Sequence, residues 1–412
     1  MSALRIWAAR QWGKRYPRSY YALWAARSIS VLGDYIALMA LTLYAARQPN
    51  APFAVSALFL AQTIPWLLSP LAGALADRIA PRRLALACNL GQAILVGVLA
   101  LATTPFTITL ILVGAVSLLE VCFLPVGQSA LPVIVAPAEL SDANALLRLG
   151  LNISRAAGPV AGAALLAISG LRGALLADAM SFVLAAALLL SLPTKAPARE
   201  LAERPLQKNG RFSRLGAELR QGLAFVIHTA VPRAVALGLF LATLFVALDN
   251  VALVFLAQRT LHGGPVGYGA LLAGYGAGMI AAPLLLILVS RRLTTQINLL
   301  IGVTVMGLGT ALCALSPTLG LAVAAEVVVG IGNGFQNITN DTLLQQTTPP
   351  ALLGRIFGVA YSAPYLALLI TYTVGGTLIQ ATSPRIALLI AGLGTMAVTA
   401  IIWGQLQAPQ RT

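Results

Sequence analysis

Twelve apolar stretches, each long enough to cross a bilayer, run through the 412 residues of this sequence. A spanning helix needs roughly 20 apolar residues, because in hydrocarbon its backbone must hydrogen-bond within its own segment. Charged residues, Pro or Gly bound the stretches, which cover about 20–46, 53–76, 84–103, 106–127, 146–169, 172–192, 234–257, 265–289, 293–315, 318–341, 355–380 and 385–406. Only 9% of the residues are charged, against about 25% in a soluble protein. The sequence therefore predicts an all-α integral membrane protein with twelve transmembrane helices.

One long hydrophilic segment, about 193–232, surrounds the midpoint of the chain, so that six stretches precede it and six follow. Short matches recur at nearly constant offset between the two parts. Glu120-Val121 matches Glu326-Val327, and Arg82-Arg83 matches Arg291-Arg292. Such internal repeats are typical of transporters built from duplicated units. We predict two pseudo-symmetric six-helix halves, 1–192 and 233–412, joined by a cytoplasmic linker, 193–232.

The distribution of Lys and Arg predicts the orientation, because cations beside a span stay on the cytoplasmic side. Alternating loops and tails that include both termini and the linker hold 21 of the 27 cations. The loops on the other side hold only Arg47, Arg172, Arg259 and Arg385. We expect a multi-pass protein of the cell (inner or plasma) membrane with both termini in the cytoplasm. The net charge of +15 then indicates attraction to anionic lipid headgroups, with no nucleic-acid partner.

The sequence contains few of the residue patterns that enzyme active sites require. The three cysteines, Cys88, Cys122 and Cys313, lie inside apolar stretches without metal-ligand spacing, and the two histidines, His228 and His262, lie beside predicted loops. A zinc site or a catalytic triad is therefore not expected. No Walker-type glycine loop is present in the sequence either. We therefore predict that the protein is not an enzyme and binds no metal or cofactor. We expect the proton gradient to be its energy source.

Ionisable side chains inside the spans are functional candidates, because each is costly in a membrane unless it is paired or hydrated. Arg27, Ser30 and Asp34 follow a spacing that places them on one face of the first span, with the end charges about 10 Å apart along the axis. Further candidates in other spans are Glu120, Asp178, Asp249 and Glu326. Because burial favours a neutral carboxyl group, Asp34, Glu120 or Glu326 could exchange a proton near neutral pH. The alternatives are that Arg27 extends to the membrane interface and that Asp34 pairs with a neighbouring helix.

Polar and aromatic stripes complete the candidate cavity. Glu326, Asn333, Asn337 and Asn340 share one face of the tenth span, which suits either a water-filled path or interhelical hydrogen bonds. Tyr361, Tyr365 and Tyr372 share a face of the eleventh span, as do Gln62, Trp66 and Ser69 in the second. The aromatic groups could line a pocket for a bulky amphipathic ligand, although core packing explains them equally well.

The loop between the second and third spans, GALADRIAPRR at 73–83, resembles the loop signature of the major facilitator superfamily. The resemblance implies that superfamily's fold, in which two six-helix halves rock about a central cavity. It also implies that Gly73 allows two helices to approach closely. Asp77, Arg78 and Arg82 would then form a cytoplasmic charge cluster that latches the halves together.

Two further resemblances concern transport direction and branch. The fifth span reads RAAGPVAG at 155–162, which resembles the Gly-Pro motif of exporters in that superfamily. Gly158 and Gly162 form a face for close packing and Pro159 permits a bend, although an ordinary packed helix would also carry these residues. Segments 125–146 and 343–361 are similar to the enterobactin-exporter and macrolide-efflux group.

These resemblances imply a secondary active transporter that exports an amphipathic small molecule, such as a drug or siderophore, by alternating access. With the carboxyl groups inside the spans and no ATP-binding loop in the sequence, we predict a proton-coupled antiporter, and we expect it to be a monomer. Two alternatives stay open. One is a lysolipid or nutrient transporter of the same fold that works in the opposite direction. The other is a non-transporting membrane scaffold or sensor.

Overall fold

The computed structural model describes residues 16–69, 79–102, 104–136, 139–191, 211–290, 293–349 and 352–407. Within these ranges the secondary structure is entirely helical. Eleven of the described helices are long and apolar enough to cross a membrane, and one of these is long enough to cross twice. The predicted all-α architecture with twelve spans is therefore confirmed.

The first half contains six spans. Its helices are α1 (Arg18–Ala45), α2 (Ala51–Thr63, extended by a 3₁₀ turn at Ile64–Leu68), α3 (Pro81–Leu101) and α4 (Phe106–Ile134), followed by one run of 50 residues, Leu140–Leu189. That run is broken at Gly170, whose φ of 67° and ψ of −169° are open to glycine and strained for other residues. We number its two arms α5 (140–169) and α6 (171–189). The break coincides with the predicted boundary between the fifth and sixth spans.

A helix of the linker, α7 (Arg211–His228), precedes the second half. The second half contains α8 (Ala230–Phe255, extended by a π turn at Leu256–Thr260), α9 (Gly264–Ser290), α10 (Thr295–Leu315), α11 (Leu319–Thr347), α12 (Leu353–Ala381) and α13 (Pro384–Gln407). Local signals explain several ends. The Thr318 hydroxyl accepts a hydrogen bond from the Leu321 amide and starts α11. The Arg385 guanidinium donates to the carbonyls of Ala314 and Ser316 at the end of α10.

The hydrophobic cores reveal how the two halves meet. We call the end of the bundle where α1 begins and α13 ends the termini side, and the other end the opposite side. On the opposite side one large core joins both halves, and it includes Met39, Leu58, Phe182, Phe255 and Leu271. On the termini side each half has a separate core. Residues around Leu23, Cys88 and Phe123 form the first, and residues around Val235, Val303 and Ile356 form the second. The halves therefore pack together on the opposite side and diverge towards the termini side.

Glycines allow the close contact between the halves. A Cβ atom on Gly276 of α9 would lie 2.6 Å from the Cα atom of Ala156 on α5. One on Gly376 of α12 would lie 3.0 Å from the carbonyl oxygen of Pro52 on α2. Small residues at such crossings let helix backbones approach closely, which supplies packing energy in a bilayer. The α5/α9 and α2/α12 pairs thus form the contact between the halves.

Within the second half, α9 and α11 cross closely enough for a stability prediction. A Cβ atom on Gly330 would lie 2.0 Å from the carbonyl oxygen of Tyr275, and this backbone atom cannot move away cheaply. We expect Gly330→Ala to destabilise the protein by about 1–3 kcal/mol through overpacking, seen as a lower melting temperature in detergent. The matched control is Gly97→Ala in α3, where no described residue outside the helix's own turns comes within 4 Å of the new Cβ. Equal melting temperatures for the two variants would contradict this packing.

Candidate functional site

Charged groups from three helices of the first half lie in the space between the diverging halves. Arg27 and Asp34 belong to α1, Glu120 to α4 and Arg155 to α5. Asp34 and Glu120 lie near the middle of their helices, yet both are only half-buried, and Arg155 is exposed. Because such groups are costly against lipid, polar side chains that keep accessible surface at this depth indicate a cavity that water can enter.

Electrostatic interactions connect these side chains. Glu120 lies within the fields of both Arg27 and Arg155, and Asp34 within those of Arg27 and Glu120. The Arg27 guanidinium also lies 5.0 Å above the ring centre of Phe123, a cation–π contact inside the bundle. Arg27 therefore points into the protein, and the alternative that it extends to the membrane interface is wrong for this structure.

Asp178 of α6 adds a third carboxyl group behind α1. It is buried and accepts a hydrogen bond of 3.4 Å from the Ser181 hydroxyl. A Cβ atom on Gly33 would lie 2.5 Å from the Asp178 Oδ1 atom, so the carboxyl group rests directly on the α1 backbone beside Asp34. The field of Asp178 consequently reaches Asp34.

The second half holds a different pair of carboxyl groups, Asp249 on α8 and Glu326 on α11. Both are buried, Glu326 with 0% exposure, and they interact electrostatically. Within the described part of the chain, neither carboxyl oxygen of Glu326 makes a hydrogen bond of normal geometry, and the Asp249 Oδ1 atom has no partner either. The donor that faces Glu326 is the thiol of Cys313, which is a weak one. This pair is shielded from water in the conformation seen here.

The polar stripe of α11 divides into accessible and buried parts. The Asn337 Nδ2 atom donates to the Asn333 Oδ1 atom at 2.7 Å, and both residues are half-buried. Asn340, like Glu326, is buried, and its Nδ2 atom has no partner among the described residues. In this conformation Asn333 and Asn337 keep contact with solvent, whereas Glu326 and Asn340 do not.

The three tyrosines of α12 have three different environments. Tyr365 stacks on Trp66 of α2, with ring centres 5.3 Å apart, and this contact crosses between the halves. Tyr365 also lies within the field of Glu120 and so faces the cavity. Tyr361 donates a hydrogen bond to Asp341. Tyr372 is buried, stacks on Phe59 and accepts a hydrogen bond from Asn250, which indicates a packing role.

Comparison with known proteins places this architecture in a family. The sequence profile of the Major Facilitator Superfamily matches residues 23–361. The chain belongs to this superfamily. It is 27% identical over 390 residues to the uncharacterized MFS-type transporter YfiS of Bacillus subtilis (strain 168), covering 92% of this chain and 91% of YfiS. It is 25% identical over 385 residues to the multidrug efflux pump Tap of Mycolicibacterium fortuitum, covering 89% of this chain and 91% of Tap.

Solved structures agree in fold. The nucleoside transporter NupG superposes with a TM-score of 0.74 over 95% of this chain and 99% of NupG, at 14% identity. A POT family transporter superposes with a TM-score of 0.74 at 16% identity, covering 94% of this chain and 96% of that one. At these identities the likeness concerns the fold alone. Membership in the superfamily makes the chain a multi-pass membrane transporter.

The superfamily motifs fall partly within the described structure. Of the loop signature, Gly73, Asp77 and Arg78 lie outside the described residues, while Arg82 is half-buried in the first turn of α3.

The Gly-Pro motif lies where three helices meet. A Cβ atom on Gly158 would lie 2.5 Å from the Tyr35 Cβ atom, and one on Gly162 would lie 3.1 Å from the Ile36 carbonyl, both on α1. The Pro159 carbonyl faces Gly269 of α9, in the other half. The motif therefore packs α5 against both α1 and α9.

Two cavity residues were missed from the sequence. Arg155 belongs to the sequence-based candidates only through the Gly-Pro motif at 155–162, and Tyr275 of α9 is not among them. Tyr275 lies within the fields of Tyr35 and Arg155 of the first half, and of Asp249 and Glu326 of the second. It is thus positioned between the two groups of charges. The signal for Arg155 was available, since an arginine within a predicted span needs a partner.

Proposed function

We propose that this transporter is a proton-coupled secondary exporter of amphipathic small molecules that works by alternating access. The observation that carries the proposal is the set of accessible charges, Asp34 and Glu120 beside Arg27 and Arg155. Among the described residues, the core that joins the two halves lies on the opposite side, which leaves these charges in a cavity between the halves. In such a cavity, proton and substrate can compete for the same carboxylates.

The coupling follows from that competition. Ionised Glu120 is stabilised by two arginines and can accept donors of a substrate that enters the cavity. A proton taken up at Asp34 or Glu120 removes this charge and weakens the binding of the substrate. If the halves rock so that the cavity faces either side in turn, protons entering from outside release the substrate there.

Different observations support the proposed membrane orientation and the proposed substrate class. The excess of cations on the termini side supports placing that side, with both termini, in the cytoplasm of a cell that carries the protein in its inner or plasma membrane. The efflux pump Tap among the relatives, and the resemblance to the enterobactin-exporter and macrolide-efflux group, support an amphipathic drug or siderophore as substrate. The aromatic pair of Trp66 and Tyr365 offers such a molecule an apolar surface.

The remaining parts of the proposal concern partners. We propose that the protein works as a monomer without cofactor, driven by the proton gradient. Asp77, Arg78 and Arg82 would close the termini side as a charge cluster when the cavity turns outward. Gly158, Pro159 and Gly162 would keep α5 packed on α1 and α9 during that movement.

A whole-cell experiment tests the proposal. The chain is expressed in bacteria that lack their own dye pumps, and accumulation is followed for ethidium, rhodamine 6G, erythromycin and a catecholate siderophore. We expect energised cells to accumulate less of at least one compound than cells with an empty vector, and a protonophore to remove the difference. Higher accumulation would instead indicate an importer. Unchanged accumulation of every compound would favour a scaffold or sensor.

A further inference from the structure

We infer that α7, the helix of the linker, is an interfacial helix that lies in the termini-side leaflet of the bilayer and binds anionic phospholipid headgroups. This inference does not depend on what the protein transports. It concerns an interaction surface formed by Leu223, Ile227 and Arg220, which we call the α7 lipid face.

The position of α7 follows from the face of α12 that it covers. A Cβ atom on Gly222 would lie 3.2 Å from the Arg355 carbonyl oxygen and 3.3 Å from the Val359 Cγ2 atom. At 100° per residue, Arg355 and Val359 lie on the same stripe of α12 as Leu366 and Ile370, which are exposed further along the span. In a membrane-spanning helix, an exposed apolar stripe faces lipid. Helix α7 therefore packs at the lipid-facing perimeter of the bundle.

Several contacts hold α7 in this position. Val226 is buried in the termini-side core of the second half, together with Val235 and Ile356. The Arg355 guanidinium donates a hydrogen bond to the Gln221 side chain at 2.5 Å. The Arg233 guanidinium donates to the Ile227 carbonyl at 3.1 Å, near the C-terminal end of α7, and to Gln405 of α13 at 2.8 Å. The helix thus has a fixed orientation relative to α8, α12 and α13.

The exposed surface of α7 is apolar on the side adjacent to the buried face of the helix. Leu223 is 49% exposed and Ile227 is 50% exposed, about 100° around the helix from Gly222 and Val226. Arg220 follows at the edge of this surface, and His228 is exposed on the next face. Two large apolar side chains beside a cation are typical of a helix that lies in the membrane interface.

The net positive charge of the linker favours binding to anionic lipid over binding to a neutral membrane surface. From Lys195 to Arg233 the sequence carries eight Lys and Arg against three Glu. Each cation near an anionic leaflet contributes about 1 kcal/mol of attraction. Because α7 leads into α8 through Thr229 alone, its apolar face lies at the level where that span enters the membrane.

Depth-dependent fluorescence tests the inference on the full chain in vesicles. A single cysteine is introduced as Leu223→Cys, in a variant with Cys88, Cys122 and Cys313 replaced, and is labelled with an environment-sensitive dye. We expect nitroxide-labelled lipids to quench this dye at least twice as strongly as aqueous iodide does. The control is His228→Cys, for which we expect the reverse. Stronger quenching by iodide at position 223 would overturn the inference.

The headgroup preference needs a second comparison. The quenching at position 223 is measured in phosphatidylcholine vesicles with and without phosphatidylglycerol, at low and at high salt. We expect phosphatidylglycerol to increase lipid quenching at low salt only, and Arg220→Gln to reduce this increase. Equal quenching in all four conditions would overturn the assignment to anionic headgroups. Melting temperatures of the labelled variants show that they remain folded.

Discussion

Replacing Glu120 by glutamine is expected to slow energised export at least about tenfold while the protein still folds. In the described structure Glu120 is the carboxyl group that lies within the fields of both Arg27 and Arg155. Glutamine keeps the size of the side chain but removes the negative charge and the capacity to exchange a proton. A loss of about 1.4 kcal/mol of interaction already corresponds to a tenfold effect, so we expect at least about a tenfold decrease in the rate of export.

The matched control is Glu139→Gln. Glu139 precedes the first turn of α5 on the termini side, away from the helix midpoints that line the cavity. We expect this variant to export like the wild type, with equal amounts in the membrane. Purified Glu120→Gln protein should still bind a transported compound, but its affinity should no longer depend on pH as strongly as that of the wild type. Full export by Glu120→Gln would show that another carboxyl group carries the proton.

Replacing Glu326 by methionine is expected to have opposite effects on stability and on transport. Its two carboxyl oxygens are buried without hydrogen bonds of normal geometry in the described structure, and such poorly satisfied groups cost about 1–3 kcal/mol each. Methionine fills a similar volume without polar oxygens, so the melting temperature should rise. A group kept at such a cost is a candidate for function, and we therefore expect export to fall about tenfold or more.

Two further variants make the Glu326 result interpretable. Thr395→Val also removes a buried polar group, but one whose hydroxyl already donates to the Ala391 carbonyl, so we expect no gain in stability. Glu326→Gln removes the charge but keeps polar atoms buried without partners, so we expect it to raise the melting temperature less than Glu326→Met does. If Glu326→Met lowered the melting temperature and left export unchanged, the carboxyl group would have a structural role.

The positions of the spans could be predicted from the sequence because a bilayer strongly constrains the length and composition of a spanning helix. The observed start of α1 at Arg18 and end of α13 at Gln407 lie within two residues of the predicted 20 and 406. The break at Gly170 separates two spans that hydropathy had already divided. The twelve-helix fold thus follows from the length of the apolar stretches and from the loops between them.

The environment of each candidate residue was not predictable in the same way. Helical spacing correctly puts Glu326 and Asn333 on one face of α11, but it does not say which neighbour covers each turn. Glu326 is fully buried, whereas Asn333 keeps contact with solvent. Likewise, the stack of Trp66 on Tyr365 depends on how the two halves pack, which no pattern within a single helix encodes.

Uphill transport in everted membrane vesicles tests proton-coupled export most directly. Respiration acidifies the interior of such vesicles, and a compound that the cell assay identifies as a substrate is added outside. We predict that vesicles with the wild-type protein concentrate the compound inside, that a protonophore releases it, and that vesicles with Glu120→Gln do not concentrate it. Accumulation that survives the protonophore, or that is equal in the Glu120→Gln vesicles, would contradict proton-coupled export through this cavity.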